Sequence, residues 1–221
     1  MSKYLCLSFD DGPNPDNDNT MERMLDLLEK FNIPASFFLI GNKITENNKK
    51  VIKRAIDLGC DIQNHSWTHP AMAEMSIEQI KDEYKKCDDA IIELTGKKAE
   101  FFRPPYISVS EKMYDAIKVP FICGKSSNDW DPNFGADYRY NKLIEDAENG
   151  AIYLLHVTEG NVATYEAVER AVPVLKAQGY EFVNLPTIFE KTGTKRDIYH
   201  SLWTCAKNQA EWNTWPFPNQ Q

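Results

Sequence analysis

Short apolar segments alternate along this chain with longer amphipathic segments, and this alternation limits the folds that the chain can adopt. The apolar segments have the length of buried strands, and the amphipathic segments carry apolar residues at helical spacing. The pattern predicts a parallel α/β sheet that is closed or partly closed into a barrel. The predicted strands are 4–9, 35–40, 60–64, 99–103, 121–124, 151–155 and 181–183, and the predicted helices are 19–31, 47–58, 76–94, 138–148 and 164–177.

The length of 221 residues suffices for one domain with a full hydrophobic core, which we assign to residues 1–190. Residues 191–221 form a polar tail with scattered aromatic residues. We expect this tail to pack on the barrel, because linkers are poor in tryptophan. The aromatic residues of the tail are Tyr199, Trp203, Trp212, Trp215 and Phe217.

The net charge of −8 argues against nucleic acid or an anionic membrane as a partner, because both require a basic face. No apolar run approaches the roughly 20 residues that a membrane span needs. The chain begins without a signal peptide, so it is either intracellular or a domain cut from a longer secreted chain. The abrupt start favours the excised domain, and we therefore expect an extracellular location.

Two adjacent carboxylates, Asp10 and Asp11, end the first predicted strand and precede Gly12-Pro13. Active sites of parallel barrels lie at the carboxyl ends of the strands, in the loops that follow them. Two neighbouring carboxylates are costly to ionise together unless a cation lies between them. A plain turn is the alternative interpretation, since Asp, Gly and Pro are turn formers.

His65 and His69 follow the third predicted strand and are four residues apart. On one helical turn, both imidazoles would face the same side and could bind one metal ion. Two unrelated polar residues in a loop would be the alternative. The chain has only 4 histidines, and His156 also follows a predicted strand, which favours a shared site; His200 is expected on the surface.

Two other strand ends carry polar residues. Arg103 is followed by two prolines that stiffen the backbone, so it could orient a carboxylate, or it could form a structural ion pair in a surface loop. Asp129 and Trp130 taken alone indicate a polar turn with a half-buried tryptophan. His156 taken alone indicates a hydrogen-bonded structural histidine.

Together and in this order, these segments resemble the polysaccharide deacetylase family, also called the NodB-homology domain or carbohydrate esterase family 4. Each motif is weak alone, but five in order are specific. The resemblance spans about residues 4–189 and implies an irregular (β/α)7 barrel, with residues 1–190 as the catalytic domain. Its motifs are Ser8-Phe9-Asp10-Asp11-Gly12-Pro13, His65-Ser66-Trp67-Thr68-His69, Arg103-Pro104-Pro105-Tyr106, Asp129-Trp130 and Leu154-Leu155-His156.

The resemblance implies one divalent metal ion, held by Asp11, His65 and His69, beside a general base, Asp10. Arg103 matches the residue that orients this base. Two histidines and one carboxylate leave coordination positions open, as hydrolytic metals require. Zn²⁺ is expected, and the same ligands also suit Co²⁺, Ni²⁺ or Fe²⁺.

The resemblance also implies a general acid, His156, with Asp129 as its carboxylate partner. The backbone N–H of Tyr106 matches the group that binds the oxyanion. Trp130 and Leu154 match the wall and the floor of an acetate pocket.

One position departs from the family pattern. Many members carry an acidic residue directly after the last histidine, where this chain has Val157. We interpret this as a local change around the general acid and not as a loss of activity.

The residues 35–42 and 120–131 look most like the acetylxylan esterase branch of the family, so we expect O-deacetylation of xylan. N-deacetylation of chitooligosaccharide or peptidoglycan is the alternative. A non-catalytic carbohydrate-binding domain is the alternative of another class, but it predicts loss of at least one of these catalytic or metal-binding residues. We expect a monomer, or a module of a larger enzyme, with Trp67 either stacking on sugars or packing within its loop.

Overall fold

The computed structural model describes residues 2–198 and 201–207. The sequence predictions made for Tyr199, His200, Trp212, Trp215 and Phe217 lie outside these residues.

The predicted parallel α/β architecture is confirmed within the part of the chain that the structure describes. The strands are β1 (Lys3–Gly12), β2 (Ser36–Leu39), β3 (Asp61–Asn64), β4 (Phe121–Ile122), β5 (Lys125–Ser126), β6 (Ala151–His156), β7 (Tyr180–Phe182) and β8 (Leu202–Trp203). The helices are α1 (Thr20–Phe31), α2 (Lys49–Asp57), α3 (Ile77–Thr95), α4 (Glu111–Ala116), α5 (Ala136–Glu145), α6 (Val162–Ala177) and α7 (Leu185–Thr192).

The main sheet has the order β3-β2-β1-β6-β5, with β7 paired to the first residues of β1. A second small sheet pairs β4 with β8. Single bridges from Phe102 to Asn64 and to Phe121 connect the two sheets. The strand pairs are parallel, so their carboxyl ends meet at one rim of the barrel.

The central strand β1 is buried on both faces, which explains its nearly continuous apolar sequence. Leu5, Leu7 and Phe9 pack against the helices. The alternate residues of a strand face the opposite side, so Cys6 points into a cluster of its own with Phe38 and Ile152. The next residues on that inner face are Ser8 and Asp10, at the rim.

Two predicted strands differ from the structure. The residues 99–103 form no strand, and only Phe102 makes bridges, because the following Pro104 and Pro105 restrict the backbone and lack N–H donors. The predicted strand 121–124 ends at Ile122, since Gly124 has a φ of 89° and the chain resumes as β5.

The residues Leu202 and Trp203 of the predicted tail are buried, and they pair with β4. The division of the chain at residue 190 itself stays a prediction. All 5 cysteines are free, including Cys87 and Cys205. None of the described helices is both long and apolar enough to span a membrane.

Candidate metal and acid–base site

Side chains from several strand ends meet at the rim of the barrel. In the parallel register, Asp10 on β1 lies beside His156 on β6, and His65 directly follows β3. Arg103 follows the bridge residue Phe102, and Asp129 follows β5. The structure thus gathers residues that are as many as 146 positions apart in the chain, between Asp10 and His156.

The Oδ1 atom of Asp11 lies 3.6 Å from Nε2 of His65 and 3.5 Å from Nε2 of His69. These three atoms lie within 4.8 Å of one another. Asp11 Oδ1 is buried and has no hydrogen-bond partner. Such an atom is costly unless something binds it, and ligand atoms of one tetrahedral metal are separated by about 3.3–3.5 Å. The donor set therefore fits a divalent metal ion.

The ring of His65 is oriented by a backbone carbonyl. Its Nδ1 lies 2.7 Å from the carbonyl oxygen of Arg103, which can only accept a hydrogen bond. Nδ1 therefore carries the proton, and the lone pair of Nε2 faces Asp11, as is typical of metal-binding histidines. Burial lowers the pKa of His65 to about 3, which keeps the ring neutral.

The segment from His65 to His69 is a loop and not the helical turn that we considered from the four-residue spacing. Ser66 and His69 both have positive φ angles, 67° and 61°. The loop is held by Glu83 of α3, which accepts hydrogen bonds from the N–H of Trp67 at 3.0 Å and from that of Thr68 at 2.8 Å. These bonds compensate for a backbone conformation that would otherwise be strained.

Asp10 and Arg103 form a buried ion pair beside the metal-binding cluster. Arg103 Nη1 donates to Asp10 Oδ1 at 2.6 Å, and Nη2 donates to Ser8 Oγ at 2.7 Å. Arg103 is fully buried, so the surface-loop alternative for this residue is wrong. Burial raises the pKa of Asp10, and the Arg103 charge opposes that increase. The second oxygen, Oδ2, lies 3.6 Å from Nε2 of His65.

The guanidinium of Arg103 is enclosed by two neighbours that fix its plane. Its carbon Cζ lies 4.1 Å from the centre of the Phe38 ring. On another side lies Gly124, where an added Cβ would come within 3.1 Å of Arg103 Nη2 and 2.9 Å of the Leu154 nitrogen. Only glycine leaves this space open.

His156 and Asp129 form a second buried pair. The Oδ1 atom of Asp129 accepts from His156 Nδ1 at 2.7 Å, and Oδ2 accepts from the His156 N–H at 2.7 Å. Burial acts to lower the pKa of His156, but the hydrogen bond and the charge of Asp129 outweigh it and raise the pKa to about 9. Taken alone, these residues indicate a polar turn and a structural histidine. The structure shows instead that they bind each other.

The residues that the sequence placed around an acetate pocket lie at the same rim. The Tyr106 ring is 70% exposed and lies edge-on to His69, with ring centres 4.7 Å apart. Its backbone has a positive φ of 58°. Trp130 is 66% exposed, more than a half-buried residue would be. Leu154 is buried on β6, two residues before His156 and on the same face of the strand.

Val157 and Trp67 have packing roles in the structure. Val157 is fully buried, and its N–H donates to the carbonyl of Asp10 at 3.0 Å. It therefore holds β6 to β1 beneath the site. Trp67 is half-buried against Gly41, where an added Cβ would approach the indole ring to 2.6 Å. This contact favours the interpretation of Trp67 as a loop-packing residue.

Several polar residues that contact the site were not identified from the sequence. These residues share one sequence pattern. Glu83 lies on the apolar stripe of α3, between Ile80 and Cys87. Thr164 begins the buried stripe of α6, and Arg139 shares the buried face of α5 with Leu143. A polar residue on the apolar side of an amphipathic helix must find a partner inside the protein. That mismatch is the pattern that could have revealed them.

Named deacetylases are among the relatives of this chain. The polysaccharide deacetylase family profile matches residues 1–119, more than half of the chain. A bifunctional xylanase/deacetylase of Pseudobutyrivibrio xylanivorans is 38% identical over 205 residues, which cover 93% of this chain and 33% of that protein. A peptidoglycan-N-acetylglucosamine deacetylase of Listeria monocytogenes is 31% identical over 198 residues, 89% of this chain and 40% of that protein. The chain thus spans between 33% and 40% of the length of these two relatives.

Solved structures share the fold over nearly the whole chain. The Xyl-CE4 domain of a multidomain xylanase from the hindgut metagenome of Trinervitermes trinervoides has a TM-score of 0.90 and 37% identity, covering 95% of this chain and 100% of that one. A family 4 acetyl xylan esterase from Clostridium thermocellum, solved in complex with a cobalt ion, has a TM-score of 0.87 and 33% identity, covering 92% and 98%.

These similarities confirm the predicted irregular (β/α)7 barrel of the NodB-homology type and the predicted enzyme class. The chain belongs to the polysaccharide deacetylase family, carbohydrate esterase family 4.

Proposed function

We propose that this chain is a metal-dependent deacetylase that hydrolyses O-acetyl groups of xylan and xylo-oligosaccharides. The observation that carries the proposal is the convergence of three groups at one rim. They are the ligand cluster around Asp11, the Asp10–Arg103 ion pair and the Asp129–His156 pair. Hydrolysis of an ester needs an electrophile for the acyl oxygen, a base for water and an acid for the leaving group, and each group supplies one of them.

Asp11, His65 and His69 would hold the metal ion, with Zn²⁺ as the first candidate and Co²⁺, Ni²⁺ or Fe²⁺ as others. When bound, such a cation supplies a Lewis acid that polarises an acyl carbonyl and increases the acidity of water. The unpartnered Oδ1 of Asp11 and the neutral His65 ring support this assignment.

Asp10 acts as the general base. Arg103 occupies its Oδ1, which leaves Oδ2 on the side of the ligand cluster, 3.6 Å from His65 Nε2. That oxygen takes a proton from the water that attacks the acetyl carbon. Since Arg103 also bonds to Ser8, the carboxylate cannot rotate freely, and Oδ2 stays aimed at the reacting water.

His156 acts as the general acid. Asp129 binds its Nδ1, so the proton to be transferred lies on Nε2. The ring gives this proton to the sugar oxygen as the C–O bond of the ester breaks, and acetate and a free hydroxyl are the products. The N–H of Tyr106 stabilises the negative charge that develops on the acyl oxygen. Trp130 and Leu154 enclose the methyl group of the acetyl.

The preference for xylan is supported by similarity. The relative with 38% identity is named a xylanase/deacetylase, and both solved structures described above come from xylan-active proteins by name. An O-acetyl ester also has an easier leaving group than an N-acetyl amide. The peptidoglycan deacetylase with 31% identity supports the alternative, N-deacetylation of N-acetylglucosamine. A non-catalytic binding domain is not favoured, because every residue predicted for the chemistry is present at the rim.

We further propose that the chain works outside the cell, as a module of a larger enzyme or as a monomer, with an acetylated polysaccharide as its partner. The 33% coverage of the xylanase/deacetylase supports the module, since most of that relative lies beyond the matched region.

The test compares acetate release from acetylated xylan, chitooligosaccharides and peptidoglycan by the same zinc-loaded protein, before and after chelation. We expect release from xylan that stops with a chelator and returns with Zn²⁺ or Co²⁺. Release from the amide substrates only would contradict the choice of substrate. The absence of chelator-sensitive release from all three would contradict the enzymatic proposal.

A further inference from the structure

The guanidinium of Arg139 is buried behind the Asp129–His156 pair without a carboxylate of its own. Arg139 is 3% exposed, and among the described residues no carboxylate oxygen lies within 4.0 Å of its nitrogens. Its partners are neutral oxygens, including the carbonyl of Phe134 at 2.7 Å and the hydroxyl of Thr164 at 2.9 Å. Burial lowers the pKa of Arg139, while the charges of Asp129 and Asp131 act to raise it. An unpaired buried cation is expensive, so its position needs an explanation.

We propose that Arg139, Thr164 and Asn161 are positioning residues that hold the Asp129–His156 pair ready for proton donation to the leaving group. This inference rests on the proposed function and deepens it, because it extends the general acid from two residues to a network of five. None of the three residues belongs to the motifs that identify the family in the sequence.

The direction of the hydrogen bonds in this network is determined by chemistry. An arginine can only donate, so Thr164 Oγ1 accepts from Arg139 Nη1. The single hydroxyl proton of Thr164 is therefore directed to Asp129 Oδ2, which lies 2.9 Å away. Oδ2 also accepts from the N–H of His156. With Oδ2 occupied by two donors, Oδ1 is left for the imidazole Nδ1.

Asn161 connects the same arginine to the other side of His156. It stands at the N-cap position of α6, yet its side chain makes no capping hydrogen bond. Its Oδ1 accepts from Arg139 Nη1 instead, and its Nδ2 donates to the His156 carbonyl at 3.1 Å. An asparagine cap typically stabilises a helix by about 1 kcal/mol. The loss of that contribution indicates that the position serves the site.

Arg139 thus joins three segments that meet only in the folded protein. It binds the loop before α5 through the carbonyls of Phe134 and Asp131, the start of α6 through Thr164, and the end of β6 through Asn161. Thr164 in turn contacts Asp129, and Asn161 contacts the carbonyl of His156. A change in the network should therefore weaken proton donation more than it weakens the attack on the acetyl carbon.

The test uses Thr164→Val, which keeps the shape but removes the hydroxyl, and Thr164→Ser, which keeps the hydroxyl. Each zinc-loaded protein is assayed on acetylated xylo-oligosaccharide, on phenyl acetate and on 4-nitrophenyl acetate. The leaving groups of the first two substrates are more basic than 4-nitrophenolate, so a proton assists their departure more. Zinc content and thermal midpoint of all three proteins are measured in parallel.

We expect Thr164→Val to reduce kcat/KM by about 10- to 100-fold on the two substrates with the more basic leaving groups, which is part of what a general acid contributes. Its activity on 4-nitrophenyl acetate should stay within a few-fold of the parent, and Thr164→Ser should restore all three activities. Equal losses on all substrates, or none, would overturn the inference. A parent protein that cleaves the phenyl esters but no acetylated sugar would overturn the proposed function instead. In that case the loss of activity on phenyl acetate, compared with the loss on 4-nitrophenyl acetate, still decides this inference.

Discussion

The carboxylate of Asp129 binds His156 at two points, the backbone N–H and the ring Nδ1, each at 2.7 Å. The backbone bond fixes the position of His156, and the ring bond fixes the orientation and the tautomer of the imidazole. Burial would make the ring neutral, but the hydrogen bond and the charge of Asp129 raise the pKa of His156 to about 9. The ring therefore still carries a transferable proton at neutral pH.

The first prediction concerns Asp129→Asn. Without the carboxylate, the hydrogen bond and the charge of Asp129 no longer oppose the effect of burial, so the pKa of His156 should fall, although the charges of Asp10 and Asp11 still act to raise it. Less of the acid is then protonated, and its ring loses the partner that orients it, so kcat/KM on acetylated xylo-oligosaccharide should fall by about 10²–10³-fold. The alkaline limb of the pH profile should move from near pH 9 toward lower pH. Asp137→Asn, an exposed change eight residues away, is the control and should keep the parent profile. An unshifted alkaline limb in Asp129→Asn would contradict the assignment of His156 as the acid.

A second prediction separates the two adjacent carboxylates. Asp10→Asn should abolish acetate release but keep zinc bound, because Asp10 pairs with Arg103 while Asp11 carries the unpartnered oxygen. Asp11→Asn should weaken zinc binding by at least about 100-fold, beyond what is typical when a hydrogen-bond partner of a ligand is lost. Zinc content after dialysis and acetate release measure the two effects. Loss of zinc in Asp10→Asn with retention in Asp11→Asn would show that the two roles are reversed.

Much of the site could be predicted because strands and their ends are local features. An apolar run that stops at Asp10 and Asp11, or at His156, marks the carboxyl end of a buried strand. Parallel topology then brings those ends together without further information. The role of each site residue then follows from the chemistry of its side chain and from the resemblance to a family.

The network behind the site could not be predicted from such local features. Glu83, Arg139 and Thr164 lie on helices, where a polar residue usually faces solvent, and their partners are distant in the chain. The conformation of the loop from His65 to His69 could not be predicted from the sequence either. Its positive φ angles fall on Ser66 and His69, where no glycine or asparagine indicates the left-handed conformation. Tertiary contacts, above all those of Glu83, stabilise it.

A third prediction follows from that contact. Glu83→Ala leaves the N–H groups of Trp67 and Thr68 without their acceptor, so the loop that places His65 and His69 should loosen. Zinc affinity, measured by calorimetry, should fall by about 10- to 100-fold, whereas Glu83→Gln keeps one acceptor oxygen and should fall less. Asp82→Asn, an exposed neighbour on α3, is the matched control. Equal zinc affinity in Glu83→Ala and the parent would mean that the loop holds its shape without the glutamate.

The last prediction concerns Asp61, which begins β3 at the end of the barrel opposite the site. Burial raises its pKa to about 6, although the hydroxyl of Ser36 and the amide of Gln63 donate to it. A folded-state pKa above the unfolded value favours the folded protein below the unfolded pKa of about 3.9, and this contribution is lost as the pH rises through 6.

The replacement Asp61→Asn removes that titration. Between pH 4 and pH 8, the free energy of unfolding of the parent should decrease relative to that of the variant by about 1–2 kcal/mol. Urea unfolding of both proteins across this range measures the difference, and the effects of the histidines cancel because they are common to both. Asp57→Asn, an exposed change on α2, serves as the control. A difference between parent and Asp61→Asn that stays constant with pH would mean that this carboxyl group has the same pKa in the folded and the unfolded protein, and that its burial does not raise the pKa.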